Sequence, residues 1–165
     1  AMACHYIIDG YNVIKRLEAL ADLKLQAGRE ALLSMIDRFC PQGSARNEVT
    51  VVFDGQDDVW GIQQPSLHSR VVFTSGISAD EWIKRQVEDH RHPKSLVVVS
   101  DDREIQCYVR KLGAGVRGVD EFFKMGKRGD DVRRKAPGPE LKHLSRSDEE
   151  RINRELERHW FGGNP

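Results

Sequence analysis

Short apolar runs alternate with longer amphipathic stretches along this chain of 165 residues. The apolar runs are rich in β-branched residues, which is typical of strands that are buried on both faces of a parallel sheet. The alternation of strand and helix signals predicts an α/β fold with a mostly parallel sheet of about five strands. The predicted strands are 5–9, 48–53, 70–74, 96–99 and 115–119.

The amphipathic stretches between these runs predict the helices. Two capping boxes mark helix starts, with Ser78 and Ser147 as the N-caps. The helix that Ser78 begins is expected to stop before Pro93, because the residue before a proline disfavours helical geometry. The other helices are predicted just after the first strand (with Val13, Ile14 and Leu17 on one face), over 26–39, from Asp101 or Asp102 to Gly113, as one turn at 121–123, and from Ser147 to Trp160.

The composition indicates one globular domain followed by a basic tail. Lys plus Arg and Asp plus Glu number 26 each, so attraction to nucleic acid has to come from a local patch rather than from net charge. Between about Lys124 and Leu144, Gly, Pro and basic residues dominate and apolar periodicity disappears. We therefore predict a main domain over 1–125, and a basic linker with a C-terminal helix over 126–165.

Cysteine usage and hydropathy bear on the location of the protein. The three cysteines are widely spaced and form no CxxC pattern, which favours reduced thiols in a cytoplasm. No apolar run approaches the roughly 20 residues that span a bilayer, and no signal-peptide pattern precedes the first strand. The expectation is a cytoplasmic protein without a membrane partner.

Acidic residues follow the predicted strands at one edge of the sheet. Asp9, Asp54 and Asp101 follow three different strands, and Asp80 lies in the first turn of the helix after a fourth. Each one alone is an ordinary helix-start residue. Together, at the shared carboxyl edge of a parallel sheet, they would repel one another unless a cation neutralised them. The pattern therefore predicts a Mg²⁺ or Mn²⁺ site and metal-assisted hydrolysis of a phosphodiester.

The predicted ligands differ in how directly they meet the metal. Asp9 and Asp101 follow their strands most closely and are predicted as direct ligands. Asp80 is a third ligand, direct or through water, and Asp54 binds through water or orients the nucleophile. Asp102 is left open between a ligand, a helix cap and a partner of the ligands.

Polar and basic residues near this edge are candidates for contact with the substrate. Gly10 permits a tight turn that would bring the Asn12 amide toward the acidic site, where it could orient Asp9 or bind a phosphate oxygen. An acidic pocket also needs basic side chains to accept a polyanion. The predicted substrate-binding residues are Asn12, Lys15, Arg85, Arg103, Lys127 and Arg128.

Four blocks resemble a known family in order and spacing: DGYNVI at 9–14, VVFDG at 51–55, SADEWI at 78–83 and VVSDD at 98–102. Over roughly residues 5–125 the chain is similar to the NYN-domain nucleases of the PIN-like superfamily, and in particular to the YacP-like group. The resemblance implies a PIN-like, Rossmann-like three-layer fold and a metal-dependent endoribonuclease, and one branch of the family cuts mRNA on the ribosome. It also implies that the catalytic residues are Asp9, Asn12, Asp54, Asp80 and Asp101.

The sequence thus predicts a metal-dependent endoribonuclease that cuts single-stranded RNA, with the ribosome as a further partner. An alternative is an RNA- or ribosome-binding module of the same fold without catalysis. A phosphatase of the haloacid dehalogenase type is disfavoured, because that chemistry requires a second Asp two residues after the nucleophile, where Tyr11 stands.

Overall fold

A parallel sheet forms the centre of the molecule. The computed structural model describes residues 3–23, 25–55, 69–125, 145–156 and 158. The strands pair in parallel in the order β3-β2-β1-β4-β5, which confirms the predicted α/β fold. Only the last strand ends earlier than expected. The bounds are β1 His5–Asp9, β2 Glu48–Asp54, β3 Arg70–Thr74, β4 Leu96–Val99 and β5 Gly115–Arg117.

Helices connect the strands. The stretch after β1 forms two helices rather than one, because Leu17 adopts an extended backbone (φ −104°, ψ 115°) and buries its side chain. No helix among the described residues is long and apolar enough to cross a membrane. The bounds are α1 Gly10–Arg16, α2 Glu18–Ala21, α3 Leu25–Phe39, α4 Ala79–Asp89, α5 Arg103–Lys111, α6 Val119–Met125 and α7 Arg146–Leu156.

The two faces of the sheet bury two separate apolar clusters. Alternate residues of a strand point to opposite faces, so Tyr6 and Ile8 pack with α1, α3 and α6, whereas Ile7 packs with α4 and α5. Val99 and Val98 of β4 divide in the same way. Helices therefore cover both faces, and the three-layer architecture is confirmed.

The last helix starts two residues earlier than the second capping box predicts. The hydroxyl of Ser145 accepts the N–H of Asp148 at 3.2 Å, and α7 begins at Arg146. The prediction of Ser147 as the N-cap was wrong, because the Ser145 hydroxyl accepts an N–H of the first turn and Ser147 lies within the helix.

α7 packs on the body of the protein. Ile152 is 5% exposed and belongs to the cluster with Tyr6 and Ile8, and Arg151 lies 3.8 Å from Asp22. The predicted linker over 126–144, including Lys127 and Arg128, lies outside the described residues. The division of the chain at residue 125 stays a prediction.

Candidate metal centre

The strand order brings the acidic residues to one point of the sheet. The chain runs outward from β1 through β2 to β3 and then returns to the other side of β1 with β4. In open α/β sheets, ligands bind outside the carboxyl ends of the strands where the order reverses. Asp9 ends β1, Asp54 ends β2, and Ser100-Asp101-Asp102 follow β4. The acidic residues that the sequence analysis selected at these three strand ends therefore lie at the switch point of the sheet.

Asp9 is the buried member of the group, only 7% exposed. Its burial, together with the charge of Asp80 and then of Asp102, raises the pKa of the carboxyl from 3.8 to about 6. The backbone N–H of Asn12 and the charge of Lys15 lower this pKa in part. The Asp9 side chain closes no cap hydrogen bond at the start of α1, but the nearby N–H of Asn12 lowers its pKa by more than the charge of Asp102 raises it.

Asp80 reaches the site from the first turn of α4. The hydroxyl of Ser78 accepts the N–H of Glu81 at 3.1 Å, which confirms Ser78 as the N-cap of this helix. Partial burial, followed by the charge of Asp102, raises the pKa of the Asp80 carboxyl, and Lys84 counteracts this shift. Asp80 and Asp102 are therefore close enough to repel each other, although they follow different strands.

The two neighbouring acids after β4 have different surroundings. One carboxylate oxygen of Asp102 accepts the N–H groups of Glu104 (2.8 Å) and Ile105 (3.3 Å), so Asp102 is the N-cap of α5. Asp101 instead accepts the N–H of Val119 at 3.0 Å, and its second oxygen lies 3.4 Å from Nε of Arg16.

Of these two neighbouring acids, Asp102 adds to the effect of burial on the pKa of Asp9 and of Asp80, while Asp101 contacts the start of α6. The roles of Asp9 and Asp101 as direct ligands stay predictions. Asp54 is exposed at the end of β2 and contributes to the raised pKa of Asp80.

Asn12 links α1 to the segment after β4. Its side-chain oxygen accepts the backbone N–H of Asp101 at 2.8 Å, across 89 residues of sequence. The amide was expected to orient Asp9 or to bind phosphate. In the structure it fixes the backbone beside Asp102, and its predicted contact with substrate stays a prediction.

The predicted basic residues occupy different positions. Lys15 is exposed and lowers the pKa of Asp9. Arg85 is 2.6 Å from Glu81 on the same helix, and Arg103 is exposed at the first position of α5. Lys15 and Arg103 are therefore the described cations from that prediction that flank the acidic edge.

Two relevant contacts escaped the sequence analysis. Lys84 donates to Glu104 at 3.0 Å, and Glu104 also contributes to the raised pKa of Asp80. Arg16 joins Asp101 to Asp120, with a 2.8 Å hydrogen bond to the latter. Glu104 gave no separate signal, because an acidic residue in the first turn of a helix is ordinary.

The donor chemistry fits a hard divalent cation. Asp9, Asp80 and Asp102 offer carboxylate oxygens, the ligands that Mg²⁺ takes in proteins, and their mutual repulsion is of the kind that a cation relieves. Within the described ranges, no group of three or more His, Cys, Asp or Glu side chains is arranged to hold an ion as it stands.

The sheet order and its acidic carboxyl edge define a PIN-like α/β domain. A model of the YacP-like NYN domain matches residues 6–161, and the chain belongs to this family. The match confirms the resemblance seen in the four sequence blocks. It places the chain in a nuclease-like, RNA-related family.

Solved structures share the fold. Two crystal structures of Rae1 (YacP) from Bacillus subtilis, one of them of a point mutant, each superpose with a TM-score of 0.60. For the mutant the identity is 20%, over 92% of this chain and 91% of the other. For the second structure the identity is 22%, over 95% of this chain and 81% of the other. No curated protein sequence matches this chain.

Proposed function

We propose that this protein is a divalent-metal-dependent endoribonuclease that cuts single-stranded RNA. The observation that carries the proposal is that the charges of Asp80 and Asp102 act on the buried Asp9 carboxylate at the switch point of the sheet, in a member of a nuclease-like family. The charges of Asp80 and Asp102 raise the pKa of Asp9, and the charge of Asp102 raises the pKa of Asp80. Such repulsion between carboxylates is unfavourable for folding, and a bound cation offsets it.

The three carboxylates would hold Mg²⁺ or Mn²⁺. When bound, such an ion supplies Lewis-acid stabilisation of the phosphate and a bound water of lowered pKa. Asp9 is the deepest ligand, and Asp80 and Asp102 approach from the starts of α4 and α5. Asp54, exposed on the next strand, lies toward solvent, where it can orient an attacking water.

The remaining residues bind and orient the substrate. Lys15 and Arg103 flank the acidic edge and are placed to contact the phosphates of RNA. Asn12 and Asp101 hold α1, the segment after β4 and α6 in fixed relation. Ribosome-bound mRNA as the substrate is a narrower proposal, supported by the family resemblance.

Cleavage of a 5′-labelled single-stranded RNA with Mn²⁺ tests the proposal. We expect internal cuts that stop when EDTA is added. Asp80→Asn should lower the rate roughly 100-fold or more, because about 3 kcal/mol of lost transition-state stabilisation corresponds to about two decades of rate. Asp89→Asn, an exposed substitution at the other end of the same helix, is the matched control and should cut like the wild type.

The second candidate is an RNA-binding module without catalysis. It is favoured by the absence, among the described residues, of three acids already arranged around an ion position. If the wild type binds RNA equally well with Mn²⁺ and with EDTA, and leaves it uncut both alone and on ribosomes, the nuclease proposal is wrong and this candidate replaces it.

A further inference from the structure

A charged side chain lies inside the core behind the acidic edge. Arg29 of α3 is 6% exposed, and its guanidinium donates from Nε (2.8 Å) and from Nη2 (2.5 Å) to the hydroxyl oxygen of Tyr11. Burying a guanidinium is unfavourable unless its donors are satisfied and its charge is stabilised. The guanidinium geometry therefore has to be explained by what it contacts.

Three aromatic rings surround this guanidinium. Its central carbon lies 5.6 Å from the ring centroid of Tyr11, 5.6 Å from that of Phe53 and 5.0 Å from that of Phe73. These distances fall within the range of cation–π attraction. Phe53 and Phe73 stack on each other at the carboxyl halves of β2 and β3. Arg29 therefore joins α3 and two strand ends to the first turn of α1.

The first turn of α1 carries the site residues. Asp9 ends β1 and Gly10 begins α1 directly, with no loop between them. In the sequence, Tyr11 lies between Asp9, whose carboxylate is buried, and Asn12, whose side chain accepts the N–H of Asp101. A small rotation of α1 about its axis would therefore move Asn12 and shift the backbone that follows Asp9. The hydroxyl of Tyr11 is a polar contact through which α3 restrains that rotation, in addition to the apolar packing of Val13 and Ile14.

We infer that Arg29 is a positioning residue, which acts through the Tyr11 hydroxyl to fix the start of α1 and with it the orientation of Asp9 and Asn12. The planar fork of the guanidinium is what allows two donors to meet one oxygen while the ring faces stay in contact, and a lysine ammonium cannot reproduce this. The inference deepens the proposed nuclease function and depends on it for its catalytic consequence.

Two conservative variants test the contact between the Arg29 guanidinium and the Tyr11 hydroxyl. Tyr11→Phe removes only the hydroxyl and keeps the ring against Phe53, and Arg29→Lys keeps the charge and removes the fork. Each should raise the hydrogen-exchange rate of the Asp101 amide, which is bonded to Asn12, about tenfold or more relative to wild type. Each should also weaken Mn²⁺ binding and lower kcat about tenfold, the usual consequence of losing a group that orients a metal ligand, with little change in KM.

The double variant and a control separate positioning from general stability. If Arg29 acts through Tyr11, the double variant should be no worse than either single variant, because the two share one interaction. Arg38→Met, on the exposed part of the same helix and over the ring of Phe39, is the matched control and should leave the Asp101 amide and kcat unchanged.

The outcomes are distinct. Unchanged exchange at Asp101 in Tyr11→Phe, or losses that add in the double variant, would overturn the inference. The inference would also be overturned if, across the variants and the control, kcat fell only in proportion to the loss of free energy of unfolding measured in urea. If Arg29→Lys does not fold, Tyr11→Phe alone decides. A wild type that cuts no RNA ends the nuclease proposal, whereas the exchange rates of Asp101 still test the link from Arg29 to Asn12.

Discussion

Asp9→Asn is expected to stabilise the metal-free protein at neutral pH while it abolishes RNA cleavage. The pKa of Asp9 is raised from 3.8 to about 6 in the folded state, so the folded protein binds this proton more tightly than the unfolded chain does. Folding stability therefore falls as the pH rises from about 4 to about 6, and the full penalty is present above that range. At 1.36 kcal/mol per pKa unit, the penalty is about 3 kcal/mol. Asparagine removes the charge and has nearly the same size and shape as aspartate.

Urea unfolding between pH 4 and pH 8 in EDTA measures this effect. The gain in free energy of unfolding should be largest above pH 6 and should vanish near pH 4. Mn²⁺ should reverse the order of stability, because an ion that binds only the folded wild type adds to its stability. Equal pH profiles for wild type and Asp9→Asn would contradict the assignment of Asp9 as the buried ligand.

Gly10→Ala should destabilise the fold by about 3 kcal/mol, the upper part of the usual range for overpacking a core. A Cβ on Gly10 would lie 2.4 and 2.6 Å from two ring carbons of Phe53 and 3.0 Å from the carbonyl oxygen of Val52. Phe53 is fully buried and stacked on Phe73, so its ring can give way only by displacing buried neighbours. The close contact is a consequence of β1 turning into α1 without a loop.

Gly28→Ala is the matched control for this prediction. Gly28 lies inside α3 and is also buried, but a Cβ there would meet its nearest atom, the carbonyl oxygen of Leu20, at 3.5 Å. Because alanine favours a helix interior over glycine, this variant should gain about 0.5–1 kcal/mol. Urea denaturation of both variants gives the comparison. If Gly10→Ala is as stable as Gly28→Ala, the tight passage from β1 into α1 is not present.

The sequence predicted the elements well where local chemistry determines them. The β-branched runs fixed the strands to within a residue or two, and Ser78 was identified as a cap because its hydroxyl meets an N–H only three residues away. The prediction failed at the start of α7, where two nearby serines could each cap the helix. Ser145 and Ser147 are both possible caps for α7, and only Ser145 is used.

The site was predictable in its location but not in its internal contacts. The strand ends placed Asp9 and Asp80 at one edge, because parallel strands share that edge whatever their loops do. The different surroundings of Asp101 and Asp102 depend on distant partners, Arg16 and Val119, that no local pattern reveals. Arg29 gave no signal either, since an arginine in a helix is usually exposed.

Anomalous diffraction from a crystal soaked in Mn²⁺ tests the central claim most directly. We expect a peak at the carboxyl edge of the sheet, within coordination distance of carboxylate oxygens from Asp9, Asp80 and Asp102. The peak should disappear in crystals of Asp9→Asn. A soaked crystal with no peak there, or with a peak among other side chains while these three acids remain apart, would contradict the proposal that they converge on a common ion.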